Sequence, residues 1–338
     1  MDRRWRRTAT PLAVAGFLAG FLAGGLVLAG LAAAGAAAAR SGPAIRAMQW
    51  VAPGADPARA LGSSPTECLK PPLDPTMAHR VEVGRAAFRT PMVLGGQAGR
   101  AGISCETCHR AGRDNPDFLF PGVSGAPGTA DVTSSLFSTH RGNGIDDPKP
   151  IPDLAGPKSA LKVSQASADR KLEPFIHGLI TEEFDGPEPS PAVLDGLAAY
   201  VRALDPAACP AAPRRPLGVE MLMDDVRRAL RAGRTQIVRG DPATASVMVA
   251  AARTRLGLID ERFDTPALAA SRRTLRAADR QLADAQARLR TGRPDAAPAL
   301  ADWLRRSRPL EARLVGQAPR SLFDPARLTQ AAKRRLPG

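Results

Sequence analysis

Cys105, Cys108 and His109 stand in the run Ile103-Ser104-Cys105-Glu106-Thr107-Cys108-His109. Cys-x-x-Cys-His is the attachment signature of a c-type haem. Its spacing has a physical reason. Each thiol bonds one vinyl group of the porphyrin, and two intervening residues let a single helical turn present both sulfurs to the ring edge. The adjacent imidazole then reaches the iron from one face. The expected cofactor is therefore one covalent haem c on Cys105 and Cys108, with His109 as proximal iron ligand. A bare Cys-x-x-Cys also serves redox dithiols and half zinc sites. A zinc site needs a second Cys/His pair at suitable spacing, and a dithiol of the thioredoxin type needs a surrounding βαβ pattern. The sequence offers neither.

The elements that must position this motif read as helices. Aromatics make up 4% of the 338 residues, whereas sheet-rich folds lean on aromatic and β-branched side chains. The fold class expected is all-α. Upstream of the motif, Gly84-Arg85-Ala86-Ala87-Phe88 closes a helix from about Pro75. Downstream, Ser190-Pro191 supplies an N-cap and a first-turn proline, opening a helix that carries Leu197 and Tyr200.

These segments resemble the class I cytochrome c fold, in which a Gly-x-x-x-aromatic on the first helix crosses a Leu-x-x-Tyr on the last. The stretch from Gly84 to Cys105 also resembles the first haem domain of the di-haem cytochrome c peroxidases and their methylamine-utilisation relatives. The resemblance covers about residues 75–205. It implies that Gly84 permits close helix approach, with Phe88, Leu197 and Tyr200 packed around it. It further implies that Cys68 and Cys209, flanking the domain, come close if its end helices cross. An oxidising compartment would permit a disulfide there. The chain departs from the peroxidases in carrying a single Cys-x-x-Cys-His, so it has no covalent site for the second haem that relays their electrons.

On the opposite face of the iron the class I pattern places a methionine, but no Met lies between His109 and Tyr200. His177 and His140 remain as alternative distal ligands. His177 sits on the flank of a stripe formed by Leu172, Ile176, Leu179 and Ile180, and His140 sits in a polar loop. Two His ligands would leave the iron fit for electron transfer. An open site would admit peroxide, NO or another small ligand, so a peroxidase-like or ligand-binding protein stands as the alternative function. His79 reads as a solvated helix residue, and Glu182, Glu183 and Asp185 as solvated carboxylates. Residues 112–157, rich in Gly, Pro, Asp and Ser, read as a long ordered loop around the haem.

Arg3, Arg4, Arg6 and Arg7 precede an uncharged run from Pro11 to Ala39. This pattern reads as a signal peptide or as an N-terminal membrane anchor, and either places the remainder outside the cytoplasm, in a periplasmic or comparable compartment. Residues 41–74 read as a linker, 75–212 as the cytochrome c domain and 213–338 as a basic antiparallel helical bundle. That last segment carries 26 Lys and Arg against 13 Asp and Glu. Leu268, Leu275, Leu282 and Leu289 recur there every seven residues. The arginine excess marks either a docking face for an acidic redox partner or anionic lipid, or a solvated surface. Nucleic acid is a poor partner for an exported chain with one tyrosine. The function expected is electron transfer by an exported mono-haem cytochrome, membrane-associated or periplasmic.

Overall fold

Capping side chains and first-turn prolines start the principal helices where the sequence places them. In the computed structural model, which describes residues 45–158 and 161–333, the Asp74 carboxylate accepts the Met77 N–H ahead of Pro75. Ser190 Oγ does the same for Val193 ahead of Pro191, and Asp241 for Thr244 ahead of Pro242. Each cap satisfies a backbone donor that the first helical turn leaves without a partner. The expected export segment in residues 1–40 lies outside the described residues.

The chain begins with α1 (Pro57–Gly62) and β1 (Ser63–Pro65), then the long helix α2 (Pro75–Phe88). Three short helical turns follow: α3 (Pro91–Leu94), α4 (Gly96–Ala101) and α5 (Cys105–Cys108). The succeeding loop carries the paired strands β2 (Thr129–Ala130) and β3 (Lys149–Pro150) and short 3-10 turns at Arg110–Gly112 and Ser167–Asp169. Next come α6 (Leu172–Gly178), extended by a π turn over Leu179–Glu183, and α7 (Pro191–Ala203). Strand β4 (Arg214–Pro216) leads into α8 (Val219–Val238), α9 (Pro242–Arg262), α10 (Ala269–Arg290), α11 (Ala296–Gln317) and α12 (Pro325–Lys333). The architecture is predominantly helical. Among the described residues, no helix is long and apolar enough to cross a membrane.

The segment expected as a linker is structured, and so is the short stretch that opens the C-terminal third. From Ile45 onward, the 41–74 stretch buries Ile45, Met48, Ala60 and Leu61 against Leu328, Ala331 and Ala332 of α12. Residues 214–216 form β4 and pair antiparallel with β1, Ser64 opposite Arg215. Neither segment carries a periodic apolar pattern, and both are ordered by tertiary partners.

Two cores flank α2. On one side α2 crosses α7, and Phe88 packs its ring 5.0 Å from that of Tyr200. A Cβ added at Gly84 would lie 1.8 Å from the Gly196 carbonyl oxygen, so the two backbones touch as only glycines allow. On the other side α8, α9, α10 and α11 close a ring, each against the next and α11 against α8. The ring buries Leu222, Val226, Leu256, Leu282 and Leu300. Helix α2 also rests on α8 and α9. His79, expected in solvent, instead meets Gln236 of α8 at 3.1 Å.

A buried ionic network ties these layers together. Arg85 donates to Glu67 at 2.8 Å and to Asp225 of α8 at 2.6 Å. Arg89 and the Tyr200 hydroxyl also donate to Glu67. Burial by itself works against ionising Glu67, but the charges of Arg89 and Arg85 overcome it and hold the carboxyl well below its ordinary range. Asp225 is likewise opposed by burial, and Arg89, Arg85 and Arg255 hold it down at about 2.

Two predictions follow from this packing. Gly84→Ala should cost about 3 kcal/mol, near the upper end for an overpacked contact. Gly257→Ala, in α9 with nothing near its added Cβ, should stabilise by about 0.5–1 kcal/mol. Urea unfolding monitored by circular dichroism measures both, and equal effects would refute the helix contact. For the ionic network, depressed carboxyl values mean that its stabilisation is complete above about pH 4, near the unfolded-state values, and is lost as pH falls toward 2. Glu67→Gln should cost about 3 kcal/mol at pH 7, as expected when a buried pair loses one partner. It should also flatten the fall in melting temperature between pH 4 and 2. An unchanged acid slope would show that the network does not govern it.

Candidate functional site

Helix α5 is a single turn, held at both ends. Thr107 Oγ1 accepts the Ser104 N–H at 3.0 Å, and the Asn115 side-chain amide donates to the Thr107 carbonyl at 2.8 Å. The His109 N–H closes the turn on the Cys105 carbonyl at 2.8 Å. The chain then reverses through Ala111 and Gly112, both at positive φ. Cys105, Cys108 and His109 are therefore presented together from one short rigid segment.

Both motif thiols are free, whereas Cys68 and Cys209 form a disulfide. The pairing follows from the chain path. The Asp205 N–H donates to the Cys68 carbonyl and the Lys70 N–H to the Ala203 carbonyl, both at 2.8 Å. The end of α7 thus runs antiparallel to residues 68–70. Burial pushes the Cys105 and Cys108 thiols up to about 12. An activated redox dithiol requires a depressed thiol pKa, so these environments favour neutral thiols over a thiolate nucleophile.

His109 Nδ1 lies 3.0 Å from the Pro152 carbonyl oxygen. A carbonyl only accepts, so Nδ1 carries the proton and Nε2 keeps its lone pair. This is the tautomer a metal-bound imidazole needs, with its second nitrogen fixed by a neighbouring acceptor. Burial lowers the imidazole to about 4, against the hydrogen bond to Pro152 and the charge of Asp153, so the ring is neutral near pH 7. The Pro152 loop is itself anchored: Arg113 donates to Asp153 at 2.7 Å, and Asp153 accepts the Ala155 N–H at 2.9 Å. Sequence reasoning passed over Pro152, Arg113 and Asp153. The decisive group on Pro152 is a backbone carbonyl, which no side-chain pattern marks.

Apolar side chains pack beside the motif. Phe88 lies 6.4 Å from the His109 ring, centre to centre. Cys105, Cys108, Phe120, Val132, Leu154 and Ile176 are half-buried apolar side chains around one core. With two free thiols and an imidazole lone pair, the residues present match the demands of covalent haem.

The two candidate distal histidines are each paired with a carboxylate. His140 Nδ1 meets Asp185 at 3.0 Å, and His177 Nε2 meets Glu188 at 2.9 Å. The structure brings both to the segment joining the π turn to α7. Glu182 is exposed and its carboxyl is lowered, first by its bond to Arg141. Glu183, expected in solvent, is buried, and burial raises its carboxyl. Among the described residues, no group of three or more His, Cys, Asp or Glu side chains is placed to hold a metal ion by itself.

No family model, curated protein or solved structure matches the chain.

The thiol inventory gives a direct check. Chain produced without haem, denatured and unreduced, should titrate two thiols with a chromogenic disulfide reagent, and haem-loaded chain should titrate none. Four thiols in the first sample would exclude the Cys68–Cys209 bond.

Proposed function

We propose that this chain is an exported c-type cytochrome. Its single haem is bonded through Cys105 and Cys108, ligated by His109, and used for electron transfer. The observation that carries this reading is the His109 imidazole, whose Nδ1 proton is held by the Pro152 carbonyl beside two unpaired thiols. Under this reading, residues 75–212 form the cytochrome c-like domain and 213–338 the antiparallel helical bundle. The bundle docks a redox partner, an acidic one by its charge. The arginine-led apolar segment in residues 1–40 supports a periplasmic or other extracytoplasmic location, with membrane association through that segment.

When bound, the haem supplies one-electron iron chemistry. The chain's own residues hold and orient it. Cys105 and Cys108 fix the ring edge, Pro152 fixes the plane and tautomer of His109, and Phe88 contributes an apolar wall. Arg113 and Asp153 keep the Pro152 carbonyl in place.

A second reading is a peroxidase-like or small-ligand-binding haem protein. It is favoured by the lack of a methionine between His109 and Tyr200 to serve as the distal ligand of the class I pattern.

Optical spectra of the purified ferric and ferrous protein separate the two. A low-spin ferric spectrum indifferent to cyanide supports electron transfer, and its loss in His177→Ala or His140→Ala would identify the distal ligand. A high-spin ferric spectrum that shifts with cyanide supports the second reading. Haem that stays with the chain on a denaturing gel, and is lost in Cys105→Ala/Cys108→Ala, is expected for both. Absence of any covalent haem would overturn both.

A further inference from the structure

Behind the motif helix lies a half-open cavity of about 440 Å³, lined in part by residues from the 45–64 stretch, by Ser104, Glu106 and Thr107 of the motif segment, and by α8 and α9. Cys105, Cys108 and His109 do not line it, so it is separate from the haem-attachment atoms. Its volume lies in the range of small-molecule sites.

The charge on its walls is unbalanced. Six arginines face four carboxylates, and three of the carboxylates are already engaged. Asp225 serves Arg85 and Arg255, and Asp117 serves Arg59. Burial raises the Glu261 carboxyl despite its contact with Arg46. Glu106 lies 3.5 Å from Arg89. Arg110 and Arg262, by contrast, are held by carbonyls. Arg110 donates to Ser63 O at 2.9 Å, and Arg262 to Leu61 O at 2.7 Å. Among the described residues, neither forms an ion pair with a carboxylate. Burial lowers both guanidinium groups, that of Arg262 to about 10.

Four buried atoms on lining residues have no hydrogen-bond partner: the donors Arg262 Nη1, Arg89 Nη1 and Trp50 Nε1, and one acceptor, Glu106 Oε2. Arg262 is 3% exposed and Arg89 7%. A buried donor without an acceptor costs about 1–3 kcal/mol, and more when charged. Three such donors around one cavity, beside buried positive charge that lacks a carboxylate, call for an acceptor of negative charge. Leu61, Phe118, Leu222 and Leu258 complete the wall, so the complementary molecule also has an apolar body.

We propose that this cavity binds a small organic carboxylate, its charged end among Arg262, Arg89 and Trp50 and its apolar end against the leucines and Phe118. The occupant would lie behind α5 and contact the motif segment through its outward face, without touching the haem-attachment atoms. The site stands independently of the haem reading.

Calorimetric titration of the full chain, in the haem state in which it purifies, tests this with benzoate. Benzyl alcohol serves as the uncharged analogue and inorganic phosphate as a charge without an apolar body. One benzoate per chain should bind, and benzyl alcohol and phosphate should each bind at least tenfold more weakly. Arg262→Gln should weaken benzoate tenfold or more. Arg46→Gln, whose native side chain is 58% exposed and safe to alter, should weaken it severalfold and keeps the test valid if the first variant does not fold. No heat with benzoate, equal binding of phosphate, or unchanged affinity in a folded variant would overturn the proposal.

Discussion

The contact on which the architecture depends is the meeting of Gly84 and Gly196. No side chain separates α2 from α7 there, and a single added methyl group would sit inside the opposing carbonyl oxygen. This contact sets the helix spacing and so determines what the following residues can reach. Four residues along each helix, the Phe88 and Tyr200 rings meet at a tilt, and the Phe88 ring lies near His109. The same closeness lets the end of α7 pair with residues 68–70 and brings Cys209 to Cys68. One constraint thus governs the aromatic wall of the candidate site and the covalent closure of the chain ends around it.

The ionic network centred on Glu67 extends that constraint into the C-terminal helices. Burying charges is costly unless they are paired and hydrogen-bonded. Glu67 meets this condition by receiving Arg85, Arg89 and Tyr200 together. Arg85 then hands on to Asp225, and Asp225 to Arg255 of α9. Arg89 also faces Glu106 inside the motif helix. A continuous set of charged contacts therefore runs from the Cys-x-x-Cys turn to α9. Arg228 with Glu82 adds a second tie between α8 and α2. The C-terminal third is joined to the motif-bearing part through specific polar geometry as well as apolar packing, so the two parts share a common frame.

Much of this was legible in the sequence where the signal is local. The helix starts read at about Pro75 and at Ser190-Pro191 are those of the structure, where Asp74 and Ser190 cap the first turns. The seven-residue leucine spacing likewise marks the inward face of α10, where Leu275, Leu282 and Leu289 are buried. Legibility failed where order comes from distant partners. Residues 45–65 read as a linker because no pattern within them reveals that α12 supplies their core. Glu183 and His79 read as solvated because their burial depends on elements far along the chain. At the candidate site the three motif residues were plain, but the Pro152 carbonyl that selects the His109 tautomer was hidden. It is a main-chain atom brought in by a loop whose anchor is the Arg113–Asp153 pair.

The basic C-terminal third shows why net charge is a weak guide to surface potential. Many of its arginines are not free to meet a partner. Arg227 is buried against Glu311, Arg253 holds Asp279, and Arg272 and Arg276 share Asp260. Exposed pairs of this kind contribute little stability, but they cancel charge locally. The buried exceptions are more consequential, because low dielectric strengthens any field that remains uncancelled. Arg255 and Arg262 stand on α9 facing the cavity behind the motif, joined there by Arg110 from the motif's own downstream turn. Only Arg255 of the three has a carboxylate partner. Among the described residues, positive charge without a carboxylate partner therefore remains in the seam behind α5. A docking surface inferred from the excess of 26 cationic over 13 acidic residues must be discounted for every arginine already engaged inside.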